Sequence, residues 1–294
     1  MLNQVVQILL PVFLVVGIGF VVGKTLKTNF SPINRLNMDI FVPALIFTSL
    51  LSMKPSFSQL PLMTAALIGI LLPGVLLFLV GIKGKQLKAW APPQMFRNSG
   101  NLAIPLFGYA FGQSASESAV LLFVVSTVVH IVFVSLFLSN TPGVKIWRSF
   151  CTPIFLSAML AVALGLFNIE LYQPLFNGLS LMGQAAIPVM LISLGSQMCG
   201  IKKSGLKIGI ICSLLSVATG AVAFAVIYWL IPLELQEMQM MVLFTMLPPA
   251  VMNYLFAERY QISPNKVASM VLFGNLSSII TLPLLLIFAF SLTA

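Results

Sequence analysis

Hydrophobic residues fill this chain in long runs, and short polar stretches separate one run from the next. A run of about 20 apolar residues is long enough to cross a bilayer as an α-helix. The pattern predicts an all-α membrane protein with ten spans and no linker or soluble domain between them. The predicted spans are residues 4–23, 33–52, 60–81, 95–112, 117–139, 150–167, 174–197, 205–231, 236–258 and 264–290.

The composition supports a chain that faces lipid over most of its surface. Of its 294 residues, 59% are hydrophobic and 7% are charged, whereas soluble domains carry about 25% charged residues. A surface with so few charges cannot face water, so we predict a multi-pass protein of the cell membrane. The first apolar run is predicted to stay in the protein as a helix, since it lacks the features of a cleaved signal peptide.

The basic residues are distributed unevenly between the two sides of the predicted bundle. The odd-numbered loops and adjoining helix ends hold fourteen of the fifteen Lys and Arg residues, and the even-numbered loops hold only Lys54. Because basic loops stay in the cytoplasm, both termini are predicted to face outward. The net charge of +9 is therefore interpreted as a cytoplasmic collar of basic residues near anionic lipid headgroups, and no nucleic-acid partner is expected. The fourteen are Lys24, Lys27, Arg35, Lys83, Lys85, Lys88, Arg97, Lys145, Arg148, Lys202, Lys203, Lys207, Arg259 and Lys266.

The two halves of the chain resemble each other, with prolines repeated at a nearly constant offset. In the fourth and ninth predicted spans, an offset of 145 pairs Tyr109 with Tyr254. Because each half has five spans, an odd number, the second half would enter the membrane from the opposite side. This predicts a 5+5 inverted repeat, a plan found in many secondary transporters. The aligned segments are 11–23 with 153–165 and 41–53 with 186–198, and the repeats are 1–139 and 150–294.

The fourth and ninth predicted spans contain residues that a membrane helix seldom tolerates. The fourth holds FRNSGNLAIPLFG (96–108), and the ninth holds LPPAVMN (247–253). Proline removes an amide donor and clashes with the carbonyl four residues earlier. Irregular backbone at membrane depth persists only where protein or a watery cavity satisfies it. Both spans are therefore predicted to break near the midplane, with the two breaks facing one another inside the bundle. Their second halves are predicted to begin at about Ile104–Pro105 and Pro249–Ala250.

Two broken helices of opposite direction would create a binding site for an anion. The second half of each begins with unpaired N–H groups at the positive end of its dipole. Those groups can bind a carboxylate, and Asn101 and Asn253 can add amide donors and Ser99 a hydroxyl. Pro and Gly also serve as packing devices in membrane helices. Because these residues occur at corresponding places in both halves of the chain, a binding site is favoured over a packing role.

The chain resembles the auxin efflux carrier family, which includes plant PIN-type carriers and bacterial organic-acid permeases. The resemblance implies a scaffold domain and a transport domain, with a carboxylate bound where the fourth and ninth helices cross. Carried over to this chain, the crossover residues are Asn101, Pro105, Pro248 and Pro249. The stretches that carry the resemblance are INRLNMDIFVPALIFTSL (33–50), NSGNLAIPLFG (98–108), AAIPVMLISLGSQM (185–198) and LPPAVMNYLFAERYQISPNKVASMVLFGNLSSIITLP (247–283).

Two ionisable residues within the predicted spans are candidates for proton coupling. His130 lies in the fifth span beside Ser126 and Thr127, where it is either a proton relay or a neutral histidine bonded to backbone. Asp39 lies one turn inside the second span, and Arg35 four residues earlier favours a local ion pair. A sodium site needs several oxygen ligands, usually with a carboxylate. Since only Asp39 lies inside a span, sodium coupling is disfavoured.

These features favour a secondary carrier that moves small organic anions, such as mono- or dicarboxylates, by alternating access. The short central loop (139–149) replaces the long hydrophilic loop of the plant carriers, which argues against auxin as the substrate. The alternative is a sodium-coupled bile-acid-type symporter with the same fold plan. An enzyme, a metal site and a cofactor are not expected, because the sequence lacks a metal-ligand cluster and a Ser–His–acid set. A non-transporting sensor stays open, as does a homodimer, a state in which related carriers pair through scaffold helices.

Overall fold

The computed structural model describes residues 2–26, 30–53, 57–138, 151–200 and 205–293. In these ranges the regular structure is helical, as predicted. The first half contains α1 (Leu2–Thr25), α2 (Ser31–Leu36), α3 (Val42–Met53), α4 (Leu60–Leu79), α5 (Gly84–Met95), α6 (Ile104–Phe111) and α7 (Gln113–Phe137). The second half contains α8 (Pro153–Leu166), α9 (Gln173–Gln197), α10 (Leu206–Leu230), α11 (Leu235–Met246), α12 (Met252–Arg259) and α13 (Pro264–Ser291). Two π-helical segments, Asn37–Phe41 and Ser99–Ala103, lead into α3 and α6.

Seven helical stretches in the described part of the chain are long and apolar enough to cross a bilayer. They correspond to α1, α2 with α3, α4, α7, α9, α10 and α13, whereas α8 is a shorter apolar helix. The fourth predicted span consists of α5 and α6, and the ninth of α11 and α12, with 12 and 8 residues in each pair. Helices this short do not reach across a bilayer singly. The ten-span count and the 5+5 arrangement therefore stay predictions.

The fourth span differs from its prediction in where it starts and where it breaks. Its first helix begins at Gly84, well before residue 95. The hydrophobic pattern missed this start because Lys85 and Lys88 make the first turns polar. The helix ends at Met95, and the π-helical segment begins at Ser99. The second helix of this span was predicted to begin at about Ile104–Pro105, and α6 does begin at Ile104. The interruption itself lies earlier, at residues 96–98. The proline ring fixes φ near the helical value, which suits the first turn of α6.

Glycines let α1 and α9 pack with their backbones in direct contact. A Cβ atom at Gly195 would overlap the Val16 carbonyl and lie 2.7 Å from the Phe20 amide nitrogen. A Cβ atom at Gly19 would overlap the backbone of Ile192. Small residues at helix interfaces allow this close approach, which dispersion forces then stabilise. The two helices therefore form one tightly packed pair.

Several contacts between helices have a counterpart in which each helix is replaced by its equivalent from the other half of the chain. The α1–α9 contact has a counterpart in α3–α8, the α4–α5 contact in α10–α11, and the α4–α7 contact in α10–α13. An inverted repeat requires this exchange, because each helix of one half takes the place of its equivalent in the other. The packing is thus consistent with the repeat predicted from the sequence.

The starts of α5 and α13 lie side by side. The Lys266 ammonium donates to the Gln86 Oε1 atom at 3.1 Å and lies 4.8 Å from the centre of the Trp90 ring. The sequence predicts both helix starts on the cytoplasmic side. Their contact is consistent with that orientation.

Candidate functional site

The break between α5 and α6 pairs with the break between α11 and α12 through an antiparallel bridge. The Asn98 amide donates to the Pro248 carbonyl at 2.8 Å, and the Ala250 amide donates to the Phe96 carbonyl at 3.0 Å. Each unwound segment thus satisfies backbone groups of the other, as irregular backbone inside a membrane protein requires. We call this pairing the crossover.

The crossover also defines how the two broken spans correspond. Its central pair is Arg97 and Pro249. Residues 98 and 250 lie 152 positions apart, as do residues 96 and 248. Exchanging each residue for the one 152 positions away therefore turns the bond between residues 98 and 248 into the bond between residues 250 and 96. The same shift relates Asn101 to Asn253. The predicted offset of 145 for these spans is therefore wrong, because matches between common apolar residues do not define a register.

Asn253 holds the crossover together. Its side-chain amide donates to the Phe96 carbonyl and to the Ala250 carbonyl, both at 2.9 Å. The side chain is 2% exposed, and its Oδ1 atom has no hydrogen-bond partner in the described part of the chain. Since both amide hydrogens go to backbone, Asn253 supports the site from behind, whereas the sequence predicted a substrate donor.

The middle of α13 supports the crossover from the other side. The Asn98 side-chain amide donates to Asn275 Oδ1 at 2.7 Å, and the Asn275 amide donates to the Pro249 carbonyl at 3.1 Å. Gly274 allows this approach, because a Cβ atom there would lie 2.6 Å from Pro249 Cδ. Polar and small residues in α13 therefore position the ninth span's proline.

Arg97 lies in the middle of the crossover, with 2% of its surface exposed. Its assignment to the cytoplasmic collar is therefore wrong, which leaves thirteen of the fifteen basic residues on the predicted cytoplasmic side. Its Nη2 atom donates to the Ser216 carbonyl at 3.2 Å and to Thr219 Oγ1 at 3.3 Å. Its Nη1 atom donates to the Leu247 carbonyl at 3.4 Å, and its Nε atom has no partner among the described residues.

The charge of Arg97 has no counter-ion within the described residues. All three of its acceptors are neutral, and the ion pair found in these ranges joins Arg35 to Asp39. An arginine stays protonated in proteins, and a buried charge without an opposite charge is strongly unfavourable. The crossover thus presents an uncompensated positive charge inside the bundle.

A cavity of about 190 Å³ lies beside the crossover. We call it the crossover cavity. Polar groups from four parts of the fold line it together with apolar walls. The polar lining residues are Asn34, Asn37, Arg97, Asn98, Ser99, Asn101, Ser126, Thr127, His130, Ser193 and Gln197.

Three residues predicted for the site line the crossover cavity, namely Ser99, Asn101 and His130. Backbone amides add to them. The first π-helical bond in this segment runs from the Ala103 amide to the Asn98 carbonyl at 3.2 Å. The amides of residues 100 and 101 precede it, so the helix provides them with no acceptor. Gly100 and Asn101 both line the crossover cavity, so it lies beside the start of a helical segment.

The other predicted residues lie outside the crossover cavity. Pro248 and Pro249 form the pairing backbone behind it, and Pro105 is buried further along α6. Asp39 is exposed and forms an ion pair with Arg35 at 3.5 Å, which is the local pairing that the sequence favoured. Of the two residues predicted for proton coupling, the structure therefore brings only His130 to the cavity.

His130 is enclosed by aromatic rings. Its imidazole stacks on Phe96 with ring centres 3.9 Å apart and planes 9° apart, and it meets the edge of Phe256 at 4.9 Å. The side chain is 3% exposed, and within the ranges that the structure describes its Nε2 atom has no hydrogen-bond partner. Because His130 also lines the crossover cavity, this nitrogen is a candidate contact for a ligand there.

The sequence reasoning missed Arg97, together with Asn34, Asn37 and Gln197, as lining residues. The sequence did contain an indication that Arg97 lies within the break. Aligning Asn101 with Asn253 places Arg97 opposite Pro249, inside the break rather than at a helix end. The other three lie on α2, in the π-helical segment before α3 and at the end of α9. Only the packing of these elements brings them to the cavity.

The chain was compared with models of known protein families. The family model described as "Membrane transport protein" matches residues 4–146 and 140–286. The two matches together cover most of the chain. No match was found among curated proteins.

Proposed function

Because the chain belongs to the membrane transport protein family, we propose that it is a secondary carrier of small organic anions such as mono- or dicarboxylates. This is the auxin efflux carrier family, so the resemblance predicted from the sequence is confirmed. The chain is a multi-pass membrane transporter, and members of its family are transporters rather than enzymes.

The uncompensated charge of Arg97 is the observation that carries the proposed substrate class. A carboxylate in the crossover cavity would supply the missing negative charge. Guanidinium groups bind carboxylates well because their donors match the two oxygens in geometry. The unpaired Nε atom of Arg97, the Asn101 side chain and the amides of residues 100 and 101 offer donors on one side of the cavity.

The size of the crossover cavity favours a small substrate. Sites for drug-sized ligands measure about 300–1,000 Å³, whereas this cavity measures about 190 Å³. A short-chain carboxylate is compatible with that volume. A bile acid, with its rigid ring system, is not. The volume therefore supports the organic-anion carrier over the bile-acid-type symporter.

Alternating access explains how the anion would cross the membrane. In the proposed 5+5 arrangement, the crossover elements form the moving part and the tightly packed α1–α9 pair belongs to the scaffold. We place the carrier in the cell membrane with both termini outside. An inside-negative potential expels an anion by about 2.3 kcal/mol per charge per 100 mV. Efflux therefore requires no coupling ion, whereas uptake requires one.

We expect proton coupling, if uptake occurs, to depend on His130. In His130→Phe an aromatic ring keeps the stacking with Phe96 and Phe256 but cannot carry a proton. In proteoliposomes with a pH gradient, wild type would acidify the lumen as carboxylate enters, and the variant would not. Equal proton movement in both would exclude His130 from coupling. A strict sodium requirement for uptake would instead favour the sodium-coupled alternative.

Transport in liposomes tests the proposed function directly. We expect purified wild type to move a labelled carboxylate and Asn101→Ala to reduce the rate by about tenfold or more, since a hydrogen bond to a charged group contributes about 1.5–3 kcal/mol. The melting temperature of Asn101→Ala should stay unchanged, because the Asn101 side chain makes no hydrogen bond to another group among the residues that the structure describes.

Two further variants distinguish a loss of substrate binding from a loss of structural support at the crossover. Asn253→Ala should lower stability by about 1–2 kcal/mol, because two hydrogen bonds within the crossover disappear. Asn177→Ala, on the exposed face of α9, should match wild type in both measurements. Normal transport by Asn101→Ala together with normal transport by Pro105→Ala would contradict the proposed site.

A further inference from the structure

A second and larger cavity lies between α1, the end of α9 and the middle of α13. Its volume is about 600 Å³. Its walls are mostly apolar side chains, including Phe13 and Phe20 on α1 and Ile279 on α13. Ile279 is 49% exposed, so the cavity borders the outer, lipid-facing surface of the bundle. We call it the α1 groove.

Lys24 is the charged side chain at one end of the α1 groove. Its ammonium group lies 6.0 Å from the centre of the Phe20 ring. It has no carboxylate partner within the described residues. An apolar channel that ends at an unpaired cation fits an amphiphile with an anionic head and an apolar tail.

The length of the α1 groove matches one leaflet of a membrane. At 1.5 Å per residue, the stretch of α1 from Phe13 to Lys24 is about 16 Å long. Half of the hydrocarbon core measures about 15 Å. An acyl chain that starts at Lys24 would therefore follow α1 to the middle of the bilayer.

The charge pattern of the sequence indicates which leaflet supplies this amphiphile. Lys24 belongs to the side that holds most of the basic residues, which places it at the cytoplasmic surface. That leaflet contains the anionic phospholipids. We therefore propose that the α1 groove binds one anionic phospholipid, with an acyl chain between α1 and α13 and its phosphate against Lys24.

The bound lipid would contact the back of the crossover. The inner part of the α1 groove is lined by Leu102 of the π-helical segment and by Asn275. Asn275 accepts a hydrogen bond from Asn98 and donates one to the Pro249 carbonyl. An acyl chain there would stabilise the arrangement of the broken helices. This inference does not depend on which substrate the crossover cavity binds.

Lipid titration of the detergent-solubilised full chain tests the inference. Phosphatidylglycerol and phosphatidylcholine with identical acyl chains would be added, and bound lipid would be counted by native mass spectrometry. We expect phosphatidylglycerol to bind about fivefold more tightly, since one lysine near an anionic headgroup contributes about 1 kcal/mol. Lys24→Gln should remove this preference, whereas Lys85→Gln, an exposed lysine on α5, should keep it.

A second pair of variants fills the α1 groove. A Cβ atom at Gly17 would meet no atom within 4 Å, so Gly17→Leu adds a side chain to the groove without strain. It should prevent binding of both lipids, as should Ile279→Trp on the facing helix. Gly178→Leu, also at an open position but outside the groove, should bind like wild type.

Three outcomes would overturn the inference. Equal affinity of wild type for the two lipids would remove the role of the anionic headgroup. Undiminished binding by both Gly17→Leu and Ile279→Trp would show that the lipid binds elsewhere. Displacement of bound lipid by a small carboxylate would make the groove part of a substrate site instead.

Discussion

Arg97→Gln is expected to lower carboxylate affinity by about thirtyfold or more, because removing one partner of a buried, hydrogen-bonded charge pair costs about 2–5 kcal/mol. The same variant should be at least as stable as wild type without substrate. The substitution removes a buried charge that has no counter-ion within the described residues, and such a charge destabilises the fold. Isothermal titration with the best carboxylate and a melting curve without ligand measure both effects.

Two other arginine variants make this result specific. Arg35→Gln removes an exposed arginine that pairs with Asp39, so it should bind like wild type. Arg97→Lys keeps the charge but loses the planar donor geometry of a guanidinium, and we expect an intermediate affinity. Unchanged affinity in Arg97→Gln would refute the idea that the substrate neutralises this residue.

Gly195→Leu is expected to destabilise the protein by about 3 kcal/mol or more, at the upper end for an overfilled interior. A side chain at Gly195 meets the backbone of α1 at Val16 and Phe20. Backbone atoms cannot rotate away as side-chain atoms can, so α1 and α9 would have to separate. The yield of monodisperse protein and its melting temperature in detergent measure this change.

Gly178→Leu provides the matched control for this prediction. It makes the same substitution in the same helix, at a position where no atom lies within 4 Å of the added Cβ. It should leave the yield and the melting temperature unchanged. Similar losses in both variants would mean that leucine at any glycine of α9 disturbs folding, and that the α1–α9 contact has no special role.

The helices were predictable from the sequence because their causes are local. A bilayer requires apolar runs of a certain length, and backbone groups in lipid must be satisfied within the same segment. The bounds of α1, α9 and α13 accordingly follow the predicted spans closely. The start of α5 was missed, since its first turns carry Lys85 and Lys88 and do not resemble a membrane segment.

The candidate site was predictable only in part. The polar residues and prolines of the fourth and ninth spans indicated broken helices, and Ser99, Asn101 and His130 do line the crossover cavity. Asn253 was chosen for the same chemical reason, yet its amide donates to backbone carbonyls. Residue type alone does not distinguish a side chain that contacts a ligand from one that holds the backbone around it.

By itself, the sequence determined that this protein is a helical membrane protein with two interrupted spans, because run length, charge bias and helix-breaking residues act within a few turns. The tertiary structure decided at which residues the helices are interrupted and which backbone groups pair with each other there. The pairing of Asn98 with Pro248 and of Ala250 with Phe96 joins residues about half a chain apart. That pairing places Arg97 inside the bundle rather than at the predicted cytoplasmic end of the fourth span, because a residue's burial depends on which distant segment packs against it.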